Sequence, residues 1–313
     1  MGFHSANILL HIPDGFLHSL VAIACWLITL PVLGMAVANT RRELDERLVP
    51  LAGIMAAFIF AAQMLNFPVA GGTSGHFIGA ALAFIVLGPW LGLLAMAAVL
   101  AVQALLFQDG GLLAMGANIL VMGIVPGFTA YAVYRLGRGR SARVRTATAA
   151  AAAWLSVMMA ALVTSLLLAF SGASALAIVL PAMLGVHALI AIGEALITVA
   201  ALSFIRTARP SLLEEGAPAG KGGWVVGGIG VALLLVLVAP FASGHPDGLE
   251  WVAGTTGFLD SAQSAPYSLL PDYTIPALGG TGLSTILAGV IGVLVVAGLV
   301  WLAARLLRSR ASS

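Results

Sequence analysis

Two histidines lie beside long apolar stretches of this chain, and their imidazoles can do chemistry there. His11 opens the segment His-Ile-Pro-Asp-Gly-Phe-Leu, and His76 closes the segment Gly-Gly-Thr-Ser-Gly-His. Imidazole nitrogen binds Ni(II), Co(II), Cu(II) and Zn(II), and packing against lipid does not require it. The alternative for either residue is an interfacial histidine that hydrogen-bonds to the backbone. The pair can hold one metal ion only if both segments reach the same side of a bilayer.

The composition places the chain in a membrane. Of its 313 residues, 61% are hydrophobic and 8% are charged, and the mean hydropathy is +1.08. A water-soluble domain needs more polar surface, so we expect lipid to be the solvent. The single cysteine, Cys25, excludes disulfides within the chain and thiolate-rich metal sites.

Nine apolar stretches can be assigned as helices that cross ~30 Å of hydrocarbon. The stretch 77–107 is too long for one crossing, and Gly88-Pro89 divides it because proline removes a backbone donor and clashes with the preceding turn. The sequence therefore predicts an all-α integral membrane protein with nine transmembrane spans. They are 16–38, 48–67, 77–87, 89–107, 112–136, 147–170, 175–205, 224–241 and 284–306.

The basic residues predict the orientation. With nine crossings, all 14 fall on one side of the membrane, which the positive-inside rule makes cytoplasmic. We therefore expect a multi-pass protein of the plasma (inner) membrane, with its N-terminus outside and its C-terminus in the cytoplasm. His11 and His76 then share the external face. The basic residues are Arg41, Arg42, Arg47, Arg135, Arg138, Arg140, Arg143, Arg145, Arg206, Arg209, Lys221, Arg305, Arg308 and Arg310.

Acidic residues gather on the predicted external side, where no lysine or arginine accompanies them. Such a surface would attract cations. The alternative is that the positive-inside rule alone removed basic residues from this side. The acidic residues are Asp14, Asp109, Asp247, Glu250, Asp260 and Asp272.

The composition also indicates two modules. The stretch 207–223 is charged and rich in Pro, Gly and Ala, as linkers are. It separates a predicted seven-helix bundle in residues 1–206 from a two-helix C-terminal module in residues 224–313. The two spans of that module are joined by a long external loop, 242–281.

Several motifs follow one another in a fixed order along the chain. They begin at His11, at Asn66 (Asn-Phe-Pro-Val-Ala-Gly-Gly-Thr-Ser-Gly-His), at Gln103 (Gln-Ala-Leu-Leu-Phe-Gln-Asp-Gly-Gly), at Gly116 (Gly-Ala-Asn), at His187 (His-Ala-Leu-Ile-Ala-Ile-Gly-Glu-Ala-Leu-Ile-Thr), at His245 (His-Pro-Asp-Gly-Leu-Glu-Trp) and at Pro271 (Pro-Asp-Tyr). Over residues 11–206 the chain resembles the CbiM/NikM family, the substrate-binding membrane components of energy-coupling-factor transporters for cobalt and nickel. The C-terminal module, with the last two motifs, is similar to the PDGLE or CbiN/NikN-like small component.

The resemblance implies a function and partners. It implies a subunit that captures Co(II) or Ni(II) outside, as the transported substrate, and releases it inward. It also implies a transmembrane coupling subunit of the CbiQ/NikQ kind and cytoplasmic ATPase subunits of the CbiO/NikO kind. The chain has no Gly-x-x-x-x-Gly-Lys phosphate-binding loop, so we expect no ATPase site in it and no enzymatic activity of its own. Membrane lipid is a further expected partner, and nucleic acid is not.

The resemblance also implies a near-planar set of four nitrogen ligands. In the family these are a free terminal amine, the backbone nitrogen and imidazole of the second residue, and the imidazole of a later histidine. The two imidazoles fall on His11 and His76. The terminal residue falls on Leu10, which offers an amine only if the working chain begins there. Nitrogen donors suit Ni(II) or Co(II), whereas Ca²⁺ and Mg²⁺ prefer oxygen, and the residues do not decide between nickel and cobalt.

Other polar residues allow less specific predictions. His187 and Glu194 fall on one face of a predicted span, and we expect a structural pair that lies deeper than the external site. Asn118 and Gln103 either line the bundle or form interhelical hydrogen bonds. A rival metal set, Gly2-Phe3-His4, requires removal of Met1.

Two other functions remain open at this point. One is a secondary divalent-metal permease that works without ATPase partners. The other is an intramembrane hydrolase that uses Ser74 and His76, although no third group is available to orient them.

Overall fold

Helices dominate the part of the chain that the structure describes. The structure, a computed structural model, describes residues 11–46, 48–209 and 223–309. A β-hairpin pairs β1 (Phe67–Val69) with β2 (Thr73–Gly75) in antiparallel register. The helices are α1 (Ser19–Glu43), α2 (Leu48–Gln63), α3 (Ala80–Leu87), α4 (Pro89–Val102), α5 (Met115–Ile119), α6 (Val125–Arg135), α7 (Ala142–Phe170), α8 (Leu176–Ala208), α9 (Gly223–Val238), α10 (Gly248–Thr256) and α11 (Gly282–Ser309).

Within the described ranges, seven helical stretches are long and apolar enough to cross a membrane. They are Ser19–Arg42, Pro89–Phe107, Met115–Arg135, Ala142–Phe170, Leu176–Ala208, Trp224–Phe241 and Gly282–Arg308. Two of them contain π-helical turns, Gln103–Phe107 and Leu120–Ile124. The predicted spans 48–67 and 77–87 are only partly helical: α2 ends at Gln63, and α3 begins at Ala80.

Two glycines set the bounds of α3. Gly79, with φ of 83°, precedes the helix, and Gly88, with φ of 80°, ends it; both conformations favour glycine. Pro89 then begins α4, which turns back along α3, since a Cβ at Gly92 would lie 3.0 Å from the Ala83 carbonyl carbon. The predicted break at Gly88-Pro89 is therefore present, and residues 77–79 lead into α3 without being helical.

The outward faces of the long helices are apolar. On α1, Leu20, Leu27 and Leu30 are more than half exposed, and α8 and α11 expose Leu196 and Leu283 to a similar degree. Continuous apolar surface of this kind suits hydrocarbon rather than water.

The short helix α2 is almost completely buried, and the C-terminal helices provide part of its covering. Thirteen of its sixteen residues are buried. Both α9 and α11 pack against it: a Cβ at Gly228 would lie 2.5 Å from Cγ2 of Ile54, and one at Gly53 would lie 2.9 Å from the Ala297 carbonyl oxygen. The C-terminal helices therefore cover α2 directly.

The ends of several helices that carry basic residues lie close together. Arg308 in α11 pairs with Glu46, which follows α1. Arg206 in α8 donates to the hydroxyls of Tyr134, in α6, and Thr146, in α7. The first contact connects α11 to the end of α1, and the second connects the end of α8 to α6 and α7. The charge pattern assigns all of these helix ends to one side.

The close packing of α11 on α2 can be tested at Gly292. Gly292→Ala would add a Cβ that overlaps Cζ of Phe60 and lies 2.9 Å from Cζ of Phe107. Because Phe60 is fully buried, we expect an overpacking cost of about 1–3 kcal/mol. Thermal unfolding of the detergent-solubilised protein should show a lower midpoint temperature.

Gly298→Ala is the matched control for this prediction. It lies in the same helix, and no atom of another described element lies within 4 Å of the position its Cβ would take. Only the gain in helix propensity applies there. Equal stabilisation by both substitutions would contradict the packing described above.

Candidate metal centre

The segment that carries His11 is held by α5 and by the turn that leads into it. Asn118 binds both backbone groups of Ile12: its Oδ1 accepts from the amide at 3.0 Å, and its Nδ2 donates to the carbonyl at 2.9 Å. The amide of Gly111 donates to the same carbonyl at 2.9 Å. Buried irregular backbone has no helix or sheet partners, so these bonds satisfy it and fix the residue next to His11.

Asp14 anchors the same segment from its other end. Its Oδ1 accepts from the amide of Ala114 at 2.8 Å, and its Oδ2 accepts from the amides of Leu112 and Leu113 at 2.9 and 3.3 Å. The carboxylate thus caps the turn before α5, where unpaired amides favour a negative charge.

His76 is positioned by contacts with α8. The carboxylate of Glu194 accepts from the amides of Ile78 at 2.7 Å and Gly79 at 2.9 Å, at the start of α3. A Cβ at Gly75 would lie 2.6 Å from Cγ1 of Ile190, so β2 lies directly on α8. The residues that precede His76 and those that follow it therefore both contact α8, and these contacts fix its position.

The two imidazoles come together as the sequence predicts. Their ring centroids lie 5.8 Å apart, with the planes 80° from parallel. Nδ1 of His11 donates to the carbonyl of Asp109 at 3.1 Å, which leaves the lone pair on Nε2. In both histidines Nε2 is buried without a hydrogen-bond partner among the described residues. A divalent metal ion would satisfy such nitrogens.

A cavity of about 60 Å³ lies beside both rings, enough for an ion or a small number of waters. In the described ranges, no group of three or more Cys, His, Asp or Glu side chains is arranged to hold an ion. The polar residues and methionines that line the cavity are His11, His76, Asn118, Met122, Thr164, Met183, His187 and Asp247.

Each of the two histidines has a carboxylate near its Nδ1. Oδ1 of Asp109 lies 3.3 Å from Nδ1 of His11, and Oδ2 of Asp247 lies 3.6 Å from Nδ1 of His76. A carboxylate at the far nitrogen of a metal-binding imidazole fixes its tautomer and orientation. Burial, reinforced by the nearby His11 and His187, lowers the pKa of His76 to about 3, so this imidazole is neutral at pH 7.

The acidic residues Asp14, Asp109, Asp247, Glu250, Asp260 and Asp272 were expected to form a surface that attracts cations. For most of them this prediction was wrong. Asp109, Asp247 and Glu250 are buried, and Asp14 is used as a cap. Burial is the main cause that raises the pKa of Asp247 and Glu250, and it raises the pKa of Asp272 to about 6. These carboxyl groups are shielded because the loop between α9 and α11 folds over the site.

His187 and Glu194 also lie at a different depth from the one predicted. Glu194 does have the expected structural role, but its partners are the residues that follow His76. His187 lines the same cavity as His11 and His76, with its Nδ1 donating to the Met183 carbonyl at 2.8 Å. The pair is not deeper than the site, because β2 and residues 76–79 run along α8 to meet it.

The other predicted residues lie away from the cavity. His18 caps α1 by accepting from the Leu20 amide at 3.3 Å, and the side chain of His245 is exposed. Gln103 donates to the hydroxyl of Tyr273 at 3.1 Å and so forms an interhelical bond. Leu10 and the rival set Gly2-Phe3-His4 lie outside the described residues.

The geometry at Ser74 does not favour a hydrolase. Its buried hydroxyl donates to the carbonyl of His245 at 2.8 Å. A carbonyl cannot remove the proton, so this serine lacks the base that an activated nucleophile requires. The same bond, with one from the Ser74 amide to the carbonyl of Pro246 at 2.8 Å, attaches β2 to the C-terminal part of the chain.

Three proteins illustrate the similarity to known sequences. A NikMN-type protein of Archaeoglobus fulgidus is 39% identical over 297 residues, which cover 93% of this chain and 96% of that protein. The fused nickel transport protein NikMN of Rhodobacter capsulatus is 31% identical with the same coverage of both chains. The cobalt transport protein CbiM of Sorangium cellulosum is 32% identical over 66% of this chain and 95% of its own length.

Solved structures and family models agree with these relatives. The crystal structure of a truncated transition metal transporter matches with a TM-score of 0.57 and 32% identity, over 63% of this chain and 99% of that one. Residues 11–212 match the CbiM model, described as the cobalt uptake substrate-specific transmembrane region, and residues 221–309 match the PDGLE domain. The chain is therefore a multi-pass membrane protein of the CbiM/NikMN family of cobalt and nickel transport proteins.

Proposed function

We propose that this chain is the substrate-capture subunit of an ATP-driven energy-coupling-factor importer. It binds Co(II) or Ni(II) at the external face of the plasma membrane through nitrogen ligands and releases the metal inward. The observation that carries the proposal is the approach of His11 and His76 beside a common cavity, with buried Nε2 atoms that have no hydrogen-bond partner among the described residues. The names of the relatives supply the substrate class.

The donor atoms support a late transition metal as substrate. Two imidazole nitrogens suit Ni(II) and Co(II), whereas Ca²⁺ and Mg²⁺ need several oxygen ligands. Side-chain oxygens of Asp109 and Asp247 lie 3.3 and 3.6 Å from the Nδ1 atoms of His11 and His76, where a carboxylate can fix the orientation of a metal-binding imidazole. Nickel and cobalt both suit this donor set.

We further propose that the α-amine of Leu10 is a third nitrogen ligand in a chain that begins at that residue. The backbone nitrogen of His11 can complete such a chelate only with Nδ1 of the same ring, for reasons of ring size. Nδ1 faces Asp109 here, so this binding mode requires the His11 ring to turn. An intact mass of protein made from the native gene, combined with metal titration, tests it; full affinity with Met1 retained would exclude it.

The nine-span topology is part of the proposal. At ~1.5 Å per residue, α2 is about 24 Å long and α3 about 12 Å. The non-helical residues 77–79 add at most ~3.3 Å each, so the segment from His76 through α3 spans about 22 Å, and the nine-span topology requires the hydrocarbon layer to be locally thinner than ~30 Å there. On this topology the N-terminus and the metal site face outward, and the C-terminus lies in the cytoplasm with the basic residues.

The proposed partners follow from the family. Transport against a gradient needs an energy source, so we propose a coupling subunit of the CbiQ/NikQ kind and ATPases of the CbiO/NikO kind. The division into a metal-binding domain (1–206), a linker (207–223) and a PDGLE-like module (224–313) is supported by the two separate family matches. The alternative, a secondary permease, differs in needing no ATPase.

The histidine assignment predicts the effect of a single substitution. His76→Ala should abolish high-affinity binding of Ni(II) and Co(II) in detergent, because it removes one of the two unpartnered nitrogens, while the unfolding temperature stays near that of the parent. Isothermal titration calorimetry measures the affinity. His245→Ala, which removes an exposed ring outside the cavity, is the control and should bind as the parent does. Parent-like binding by His76→Ala would place the site elsewhere.

The energy source can be tested in cells. We expect uptake of radioactive nickel or cobalt to exceed that of empty cells only when the chain is co-expressed with its coupling and ATPase subunits. A substitution of the phosphate-binding lysine in the ATPases should return uptake to background. Full uptake by the chain with the inactive ATPases would instead support the secondary permease.

A further inference from the structure

A third imidazole, that of His187 in α8, lines the same cavity as His11 and His76. Its Nδ1 donates to the carbonyl of Met183, one turn earlier in the helix, at 2.8 Å. This bond fixes the tautomer, because a neutral imidazole that donates through Nδ1 has its lone pair on Nε2. Nε2 forms no hydrogen bond within the described ranges. The ring therefore offers a nitrogen lone pair that no described donor uses.

The first residues of α10 contact both His76 and His187. Oδ2 of Asp247, which caps α10, lies 3.6 Å from Nδ1 of His76. The next residue, Gly248, packs on the ring of His187, since a Cβ there would lie 2.9 Å from its Cε1. His11 and His187 both contribute to the electrostatic environment of His76. His76 therefore has two imidazole neighbours.

The three imidazoles do not form one ligand group. Within the described ranges, no three side chains of Cys, His, Asp or Glu are arranged to hold a common ion. His187 is consequently not an additional ligand at a position between His11 and His76. The cavity of about 60 Å³ is several times larger than one water needs, so an ion inside it has room for more than one position.

The other side-chain donors in the α7 and α8 walls of this cavity are uncharged. They are the hydroxyl of Thr164 and the thioether of Met183. Two imidazoles assisted only by such groups and water would bind Ni(II) or Co(II) more weakly than the proposed set of four nitrogens. A position at His76 and His187 would therefore release the ion readily.

We propose that His187 is a transient metal ligand. Together with His76, it binds the incoming ion through Nε2 before the ion reaches the nitrogen set that includes His11. The start of α10 covers this position, and it belongs to the loop that the proposed topology places outside, the side from which the ion arrives. This inference rests on the proposed function, because it requires Ni(II) or Co(II) to bind at His76. It holds whichever nitrogens of His11 are the ligands, because His187 acts before they are engaged.

His187→Asn tests the inference in the full-length chain in detergent. The asparagine amide retains a donor for the Met183 carbonyl but has no counterpart of Nε2. A ligand used only in transit changes the barrier and not the final complex. We therefore expect the equilibrium affinity for Ni(II) to stay near that of the parent, while association and dissociation both slow about tenfold. Stopped-flow absorbance on mixing with Ni(II), and release of the metal to a chelator, measure the two rates.

Two results of this experiment would overturn the inference. Unchanged rates would show that the ion does not use His187. A loss of equilibrium affinity would show that His187 is a permanent ligand or a structural residue of the final site. His245→Asn is the matched control, because it makes the same chemical change in an exposed ring outside the cavity. It should keep the rates of the parent, and equal slowing in this control would also contradict the role of His187.

A second experiment detects the transient position directly and does not depend on the folding of His187→Asn. In His11→Ala the four-nitrogen set cannot form, and we expect Co(II) to bind weakly through His76 and His187. High-spin Co(II) strongly shifts the Nδ1–H proton resonance of each imidazole that binds it through Nε2. Proton NMR should therefore show two such resonances in His11→Ala, and one of them should be lost in the double variant with His187→Asn. A single resonance in His11→Ala, or no binding of Co(II), would overturn the inference.

The outcomes separate this inference from the proposed function. A parent protein that binds neither Ni(II) nor Co(II) would overturn both. A parent that binds metal and loses its affinity in His76→Ala, but keeps its rates in His187→Asn, would overturn only the role of His187.

Discussion

Backbone amides and carbonyls inside a membrane protein need partners within the protein, because hydrocarbon offers none. The segments that carry His11 and His76 are not helical, so they cannot satisfy these groups locally. Asn118 and Asp14 do so for the first segment, and Glu194 does so at the start of α3. These three polar side chains hold irregular backbone at the depth of the cavity, and the placement of both imidazoles depends on them.

The same constraint explains how the C-terminal part of the chain takes part in the site. Ser74 in β2 donates from its hydroxyl and its amide to carbonyls that precede α10. Asp247, which caps α10, then lies beside His76, while Tyr273 reaches Asp109 from the other side. The loop between α9 and α11 therefore forms the outer wall of the cavity.

Distorted helices lie next to the site on two of its sides. A π-helical turn at Gln103–Phe107 ends at Gln108 in a left-handed conformation and delivers Asp109 to His11. A second π-helical turn, Leu120–Ile124, follows α5, which carries Asn118. A π-turn makes room for one extra residue, and such turns recur at functional sites because they redirect side chains. Here the redirected residues are the ones that hold the His11 segment.

The sequence by itself determined the membrane class, the helix break at Gly88-Pro89 and the meeting of His11 with His76. Apolar composition and proline geometry are local properties, and both histidines directly precede predicted spans that the charge pattern assigns to start on the same side. Only the tertiary structure decided the roles of Glu194, Asp247 and Tyr273 and the short length of α3. These depend on hydrogen bonds between side chains and backbone that are far apart in the chain. Whether a carboxylate faces solvent or accepts from a buried amide depends on which distant segments pack against it. A local sequence pattern carries no information about those segments.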